Sequence, residues 1–256
     1  MRYVVFIKQV PDTSMISTDE NGNLLRTGVP SILNPYCELA MDVASRLKKD
    51  GDIITAVTMG PPQAKEALFR TIELGADEAY LLSDRSFAGA DVHATVAALT
   101  AFVGKYAQDY DLILCGKQAA DGDTAEVPAE TAEVLGVQQF CYAENISIEG
   151  DSFVIEQNYG DEMRTVRAPK GSVVSVSKGD VNRRLPSITD YLRATEVEIK
   201  TLDRSAIGIE PGYVGSKGSK THIVSSKASG VERRGRVVDG TDPKKAAEHI
   251  IREVVK

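Results

Sequence analysis

The residues best suited to chemistry lie in one stretch. Asp111-Leu-Ile-Leu-Cys-Gly116 is an apolar run, Lys117-Gln-Ala-Ala-Asp-Gly-Asp-Thr124 is a loop of small and polar residues, and Ala125 to Leu135 has helical spacing. A strand, a loop and a helix in that order present unpaired backbone N–H groups and the positive end of a helix dipole where the loop ends. Asp123 or Thr124 is expected to cap that helix through a side-chain oxygen. Gly116 and Gly122, lacking a Cβ, admit a ligand close to the backbone. The chemistry predicted is anion binding, with a diphosphate as the natural guest; the other reading is an ordinary capped turn.

Other kinds of site are excluded by pattern. The chain has no GxxxxGK[ST], GxGxxG or GxSxG, so a P-loop, a dinucleotide fingerprint and a serine-nucleophile elbow are all absent. His93, His222 and His249 have no metal-ligand spacing, and Cys37, Cys115 and Cys141 form no CxxC, so neither a metal site nor a disulfide framework is expected. No side chain stands out as catalytic. Chemistry, if any, is assigned to a bound cofactor.

The elements that must position this loop repeat along the first half of the chain. Tyr3-Val-Val-Phe-Ile7 reads as a strand buried on both faces and closed by Pro11. Ser17 to Pro30 is a polar excursion with Asn21-Gly22 as a hairpin signal. Asn34 caps and Pro35 opens a helix with Cys37, Ala40, Met41, Ala44 and Leu47 on its inner stripe. Ile53 to Met59 and Glu78 to Leu82 are the next strands, each followed by a helical pattern. Four strand–helix units predict an α/β, doubly wound, mostly parallel sheet with helices on both faces. Ligands bind beyond the carboxyl ends of such strands, where all the polar loops fall.

After Gly136 the period changes to two. Asn145 to Glu149, Phe153 to Tyr159 and Met163 to Ala168 predict an antiparallel hairpin or meander added to one edge. Val173 to Val176 is read as the last core strand, and Leu185 to Arg193 as a short exposed helix. Residues 1–193 are thus expected to form the nucleotide-binding domain. Residues 194–256 form a C-terminal arm ending in a helix with Ala246, Ala247, Ile250, Ile251 and Val254 on one face. A second subunit is the expected cover for that stripe, with packing on the core as the alternative.

Composition narrows the partners. In 256 residues, 42% are hydrophobic, enough for a large core, and the formal charge of −7 argues against nucleic acid or an anionic membrane surface. No apolar run is long enough to span a bilayer, no signal-peptide pattern is seen, and a cytoplasmic location is expected.

Several motifs in order resemble the β (small) subunit of electron-transfer flavoproteins over nearly the whole chain. They are Val5-Phe-Ile-Lys-Gln-Val-Pro-Asp12, Asn34-Pro-Tyr-Cys-Glu-Leu-Ala40, Met59-Gly-Pro-Pro-Gln63, Arg70-Thr-Ile-Glu-Leu-Gly-Ala-Asp77 and Leu114-Cys-Gly-Lys-Gln-Ala-Ala-Asp-Gly-Asp-Thr124. The resemblance implies a heterodimer with an α subunit and an adenine-nucleotide site in this chain, holding AMP in plain carriers and FAD in electron-bifurcating members. It places the nucleotide contacts on Lys8, Gln9, Asn34, Met59, Gly60, Gly116, Gln118, Asp121, Gly122, Asp123, Thr124 and Ala125, with Asp121 or Asp123 on a ribose hydroxyl.

The loop Leu82-Ser-Asp-Arg-Ser-Phe-Ala-Gly-Ala-Asp91 resembles the bifurcating members' version. That implies FAD, with Asp84, Arg85, Phe87 and Gly89 around its ring and Arg85 stabilising negative charge. The alternative for this loop is a local Asp84–Arg85 pair. The implied function is hydride uptake from NADH, one electron passing to the α-subunit flavin and the other to ferredoxin or flavodoxin, as part of a complex. The segment Arg184-Leu-Pro-Ser-Ile188 resembles a recognition loop for a flavin-dependent dehydrogenase such as an acyl-CoA dehydrogenase, through Leu185, Pro186 and Ile188. Gly235 to Gly240 and the terminal helix resemble the arm that docks on the α subunit. A carrier with structural AMP, or more remotely a stand-alone ATP- or AMP-binding sensor, are the other readings.

Overall fold

A computed structural model describes residues 1–12, 17–18, 24–25, 30–178, 185–222, 224 and 238–254. The expected Asn21-Gly22 turn, Arg184 and residues 235–237 lie outside the described residues.

In chain order the elements begin β1 (Arg2–Phe6), β2 (Gln9–Pro11), β3 (Ser17–Thr18), β4 (Leu24–Leu25), β5 (Ser31–Leu33), α1 (Pro35–Leu47), β6 (Ile53–Met59), α2 (Lys65–Glu73) and β7 (Glu78–Leu82). They continue α3 (Val92–Tyr106), β8 (Leu112–Gly116), α4 (Val127–Leu135), β9 (Gln139–Glu149), β10 (Ser152–Asn158), β11 (Met163–Pro169) and β12 (Ser172–Val176). The chain closes with α5 (Ile188–Glu196), β13 (Ile199–Leu202), α6 (Arg204–Ile207), α7 (Gly215–Gly218) and α8 (Pro243–Val254).

The main sheet has the order β11-β10-β9-β12-β8-β1-β6-β7-β13. All pairs from β12 to β13 are parallel. Alternate residues of β1 feed two separate cores, as a strand's two-residue period requires. Tyr3, Val5 and Ile7 join Ala40, Met41 and Leu68 under α1 and α2. Val4 and Phe6 join Phe102, Val103 and Ala132 under α3 and α4. The doubly wound α/β fold is therefore as the sequence predicts, with β9, β10 and β11 added at one edge. β9 pairs in parallel with β12 at its start and antiparallel with β10 further on. The change of partner follows Tyr142, a non-glycine residue at φ 61°.

Two expectations are corrected. Pro11 does not simply end the first strand, because β2 pairs antiparallel with β5 as a separate small ribbon. The last strand of the sheet is β13 rather than β12: Ile199–Leu202, expected within the arm, pairs in parallel with β7. Its alternation is weak because it is an edge strand, with Lys200 and Thr201 exposed. Beyond it, Ile207 and Val214 are buried in the same core as Phe87. Among the described residues no helix is long and apolar enough to cross a membrane.

Candidate functional site

β1 lies between β6 and β8, so the crossover through α1 leaves to one side of β1 and the crossover through α3 arrives on the other. This is the topological switch point, where the carboxyl ends of neighbouring strands open a crevice. Gly116 ends β8 against the first turn of α1: a Cβ there would stand 2.6 Å from the Tyr36 carbonyl carbon and 2.8 Å from the Cys37 nitrogen. Only glycine allows that approach.

Asn34 fixes the loop that follows. It precedes α1, but its side chain makes no cap bond. Instead its Nδ2 donates to the Gln118 carbonyl at 2.8 Å, and its Oδ1 accepts the Ala120 N–H at 3.1 Å. Asn34 is only 1% exposed, so both bonds are formed away from water, where leaving one unmade is costly. It acts as a staple between two strand ends rather than as a cap.

The start of α4 is also corrected. Neither Asp123 nor Thr124 caps it; the helix begins at Val127 after Glu126, and no side chain caps it. The reason is backbone geometry: Asp123 and Ala125 sit at φ 54° and 58°, outside the right-handed helical region. Asp123 accepts a hydrogen bond from Gln118 Nε2 instead. Non-glycine residues in the left-handed region are strained, and such strain collects at ligand sites. Ala125 at positive φ followed by Glu126 at φ −95°, ψ −23° is also the alternation that turns successive N–H groups toward one anion.

Lys8, just past β1, brings a cation to this loop. Its Nζ lies 2.7 Å from Asp121 Oδ1 and close to Gly122. The two side chains are 47% and 34% exposed, so the pair is weakly held and the ammonium can be shared with a phosphate. Gln9 Nε2 donates to the Gln63 carbonyl at 3.2 Å. Gly60 N–H donates to the Leu82 carbonyl at 3.0 Å, which ties the end of β6, including Met59, to the end of β7. An uncapped helix start, a strained loop and one exposed lysine head form a donor set that fits the diphosphate of a nucleotide.

Past β7 the structure sorts the predicted residues differently. Asp84 does not pair with Arg85: its Oδ1 accepts from Ser86 N and Oγ at 2.8 and 2.9 Å, and its Oδ2 from Arg204 N at 3.2 Å. Those bonds hold its carboxyl below the usual range. Phe87 is buried in the core that also holds Ile207 and Val214, so it anchors the loop instead of facing a ligand. Gly89, at φ 73°, faces Ser216. Arg85 is exposed and its side chain has no ion pair or hydrogen bond among the described residues. Leu185 and Ile188, at the start of α5, are 74% and 81% exposed, with Pro186 between them.

Sequence reading missed three arrangements. Ser219, Lys220 and Thr221 bond to Asp91; the closely spaced Gly215 and Gly218 were the available signal. His93 Nδ1 meets Glu130 Oε1 at 2.6 Å, joining the first turns of α3 and α4, with no signal in the order of residues. Lys117 Nζ lies 5.6 Å from the Tyr142 ring. No thiol offers a nucleophile: burial pushes the Cys37, Cys115 and Cys141 thiols up. Among the described residues there is no cluster able to hold a metal ion.

Residues 22–206 match the family model described as the electron transfer flavoprotein domain. The chain is 38% identical to the electron transfer flavoprotein subunit beta of Thermoanaerobacterium thermosaccharolyticum over 98% of this chain and 96% of the relative. It is 36% identical to the caffeyl-CoA reductase–Etf complex subunit CarD of Acetobacterium woodii over 98% of this chain and 97% of the relative. It is 33% identical to the acryloyl-CoA reductase electron transfer subunit gamma of Anaerotignum propionicum over 97% and 96%.

Proposed function

The chain belongs to the electron transfer flavoprotein family as a β subunit, and from that premise we propose that it binds FAD and works in an electron-bifurcating complex. The observation that carries the reading is the uncapped start of α4 behind the strained Asp123–Ala125 loop, with Lys8 beside it. In this reading Lys8 and the N–H groups around Ala125 to Val127 hold the diphosphate. Gln118 and either Asp121 or Asp123 bond the ribose. Asn34 and Gly116 keep the loop in place, and Met59 and Gly60 line the crevice between.

FAD rather than AMP is favoured by the far end of the crevice. The ends of β8 and β7 are three strand spacings apart, about 14 Å, which suits a dinucleotide anchored at α4 better than a mononucleotide. At that far end Arg85 is exposed, and among the described residues its guanidinium has no partner; a cation there would stabilise negative charge on a reduced ring. Gly89, on the same loop, leaves room for Ser216 rather than for the ring.

Bound there, FAD would supply two-electron uptake from NADH and one-electron delivery. The protein's part is to anchor, to orient and to hold a cation near the ring. Of the two electrons, one would go to the α-subunit flavin and a partner dehydrogenase and the other to ferredoxin or flavodoxin. Leu185, Pro186 and Ile188, with the half-exposed Tyr191 and Leu192 of α5, offer an apolar surface for the dehydrogenase. The relatives' names, a caffeyl-CoA reductase–Etf complex subunit and an acryloyl-CoA reductase electron transfer subunit, support a partner acting on acyl-CoA. The C-terminal arm and α8, with Ile250 and Ile251 exposed, dock on the α subunit. The location is cytoplasmic.

The test is to produce the chain with its α subunit and titrate with NADH. Bleaching of flavin absorbance by NADH, and reduction of ferredoxin only when a dehydrogenase acceptor is also present, are expected. No flavin reduction by NADH would overturn the bifurcating reading.

A further inference from the structure

Asp91 does more than start α3. Its Oδ1 accepts the Ala94 N–H at 3.0 Å as the helix cap. Its Oδ2 accepts Lys220 N–H at 2.7 Å, Thr221 N–H at 2.8 Å and the Thr221 hydroxyl at 3.0 Å, from 129 to 130 residues away. Its own N–H donates to Ser219 Oγ at 2.9 Å, and that hydroxyl lies 2.8 Å from the Gly215 carbonyl. One carboxylate thus closes residues 215–221 over the loop that follows β7.

The two segments fit without spare room. Ser216 N–H donates to the Ala88 carbonyl at 3.0 Å. Gly215 sits at φ 57°, and a Cβ there would lie 2.0 Å from the Ser86 carbonyl oxygen. Beneath them Phe87 and Val214 share one buried cluster. The loop carrying Arg85 and Gly89 is therefore backed by the 215–221 strap along its length.

We infer that Asp91 is a positioning residue: it clasps the 215–221 strap to the 85–91 loop and thereby fixes the surface that receives the ring-bearing half of FAD. This rests on the FAD reading above. Backbone N–H groups donating to a carboxylate make charge-assisted bonds, stronger than neutral ones. Partial burial works against the charge, but the N–H groups of Ala94, Thr221 and Lys220 outweigh it and hold the carboxyl down at about 2. The clasp consequently stays charged and closed across the whole physiological range. Among the described residues none of its side-chain bonds reaches the loop before α4.

The experiment uses the heterodimer and the Asp91→Asn variant. Asparagine caps a helix as well as aspartate does, but its amide nitrogen has no lone pair to accept Lys220 and Thr221. Amide hydrogen exchange at Lys220 and Thr221, and the dissociation constants of added FAD and AMP measured separately after cofactor depletion, are the readouts. We expect exchange to speed up about tenfold, FAD to bind about tenfold more weakly (about 1.4 kcal/mol) and AMP to bind unchanged. Unaltered exchange would overturn the clasp. Faster exchange with unaltered FAD affinity, or an equal loss for AMP, would overturn its role in placing the ring. Should Asp91→Asn fail to assemble, Thr221→Val removes only the hydroxyl donor, and Gly215→Ala pushes the strap off Ser86 with Asp91 intact; both must weaken FAD selectively. Wild-type heterodimer that binds AMP but no FAD would overturn the FAD reading itself, a result visible before any substitution.

Discussion

Asn34 and Gln118, separated by 84 positions, meet through a 2.8 Å hydrogen bond from the buried Asn34 Nδ2 to the Gln118 carbonyl. With the return bond from Ala120 N–H, this staple decides where the loop after β8 leaves the sheet. Asn34→Ala leaves a carbonyl and an N–H without partners and is expected to cost about 2–3 kcal/mol. Urea unfolding should show that loss, together with weaker nucleotide retention on gel filtration. A loss below about 0.5 kcal/mol would mean that the staple does not organise the loop.

Lys8 presents the opposite case. Its pairing with Asp121 is largely exposed, so removing it should hardly alter stability. Nucleotide binding should suffer, because the ammonium stands at the phosphate loop, 2.7 Å from Asp121 Oδ1. We expect Lys8→Ala to unfold within about 0.5 kcal/mol of the parent and to bind FAD or AMP severalfold more weakly. Equal nucleotide affinity would remove Lys8 from the site.

The strain at Ala125 gives a third prediction, of opposite sign. An alanine at φ 58° occupies a region glycine enters freely. Ala125→Gly should therefore raise stability by about 0.5–1 kcal/mol, with a higher Tm by calorimetry. A lower Tm would show that the Ala125 methyl group makes a contact worth more than the strain.

Asp91 links stability to acid. Its folded carboxyl titrates at about 2 against an ordinary 3.8, a depressed value, so its contribution is fully present above the ordinary value. It is lost as the pH falls through that window toward 2. Acid unfolding of the wild type should be steeper between pH 4 and 2, about two pH units, than that of Asp91→Asn. Parallel curves would show that the carboxylate is not held by the strap.

Much of this was legible from residue order. The strands Ile53–Met59 and Glu78–Leu82 were readable because strands buried on both faces are uninterrupted apolar runs between turn residues. The place of the loop after β8 was readable from its glycines and the apolar run before it. What escaped was fixed by contacts distant in sequence. Ile199–Leu202 became a strand only because β7 offered an open edge. The cap at Asp123 or Thr124 failed because Asp123 and Ala125 turn left-handed, which no local pattern announces. Phe87 reads as a ring-facing residue, yet it is buried in the core that also holds Ile207 and Val214. Asp91 stood in view within the loop after β7, but its partners lie 129 residues further on.

The central claim, that this β subunit carries a flavin of its own, is tested most directly by the cofactor content of the purified heterodimer. Acid extraction followed by chromatography and mass spectrometry counts the nucleotides per complex. The account predicts two FAD and no AMP in each heterodimer. One FAD with one AMP would contradict it and make this chain a subunit of a plain electron carrier.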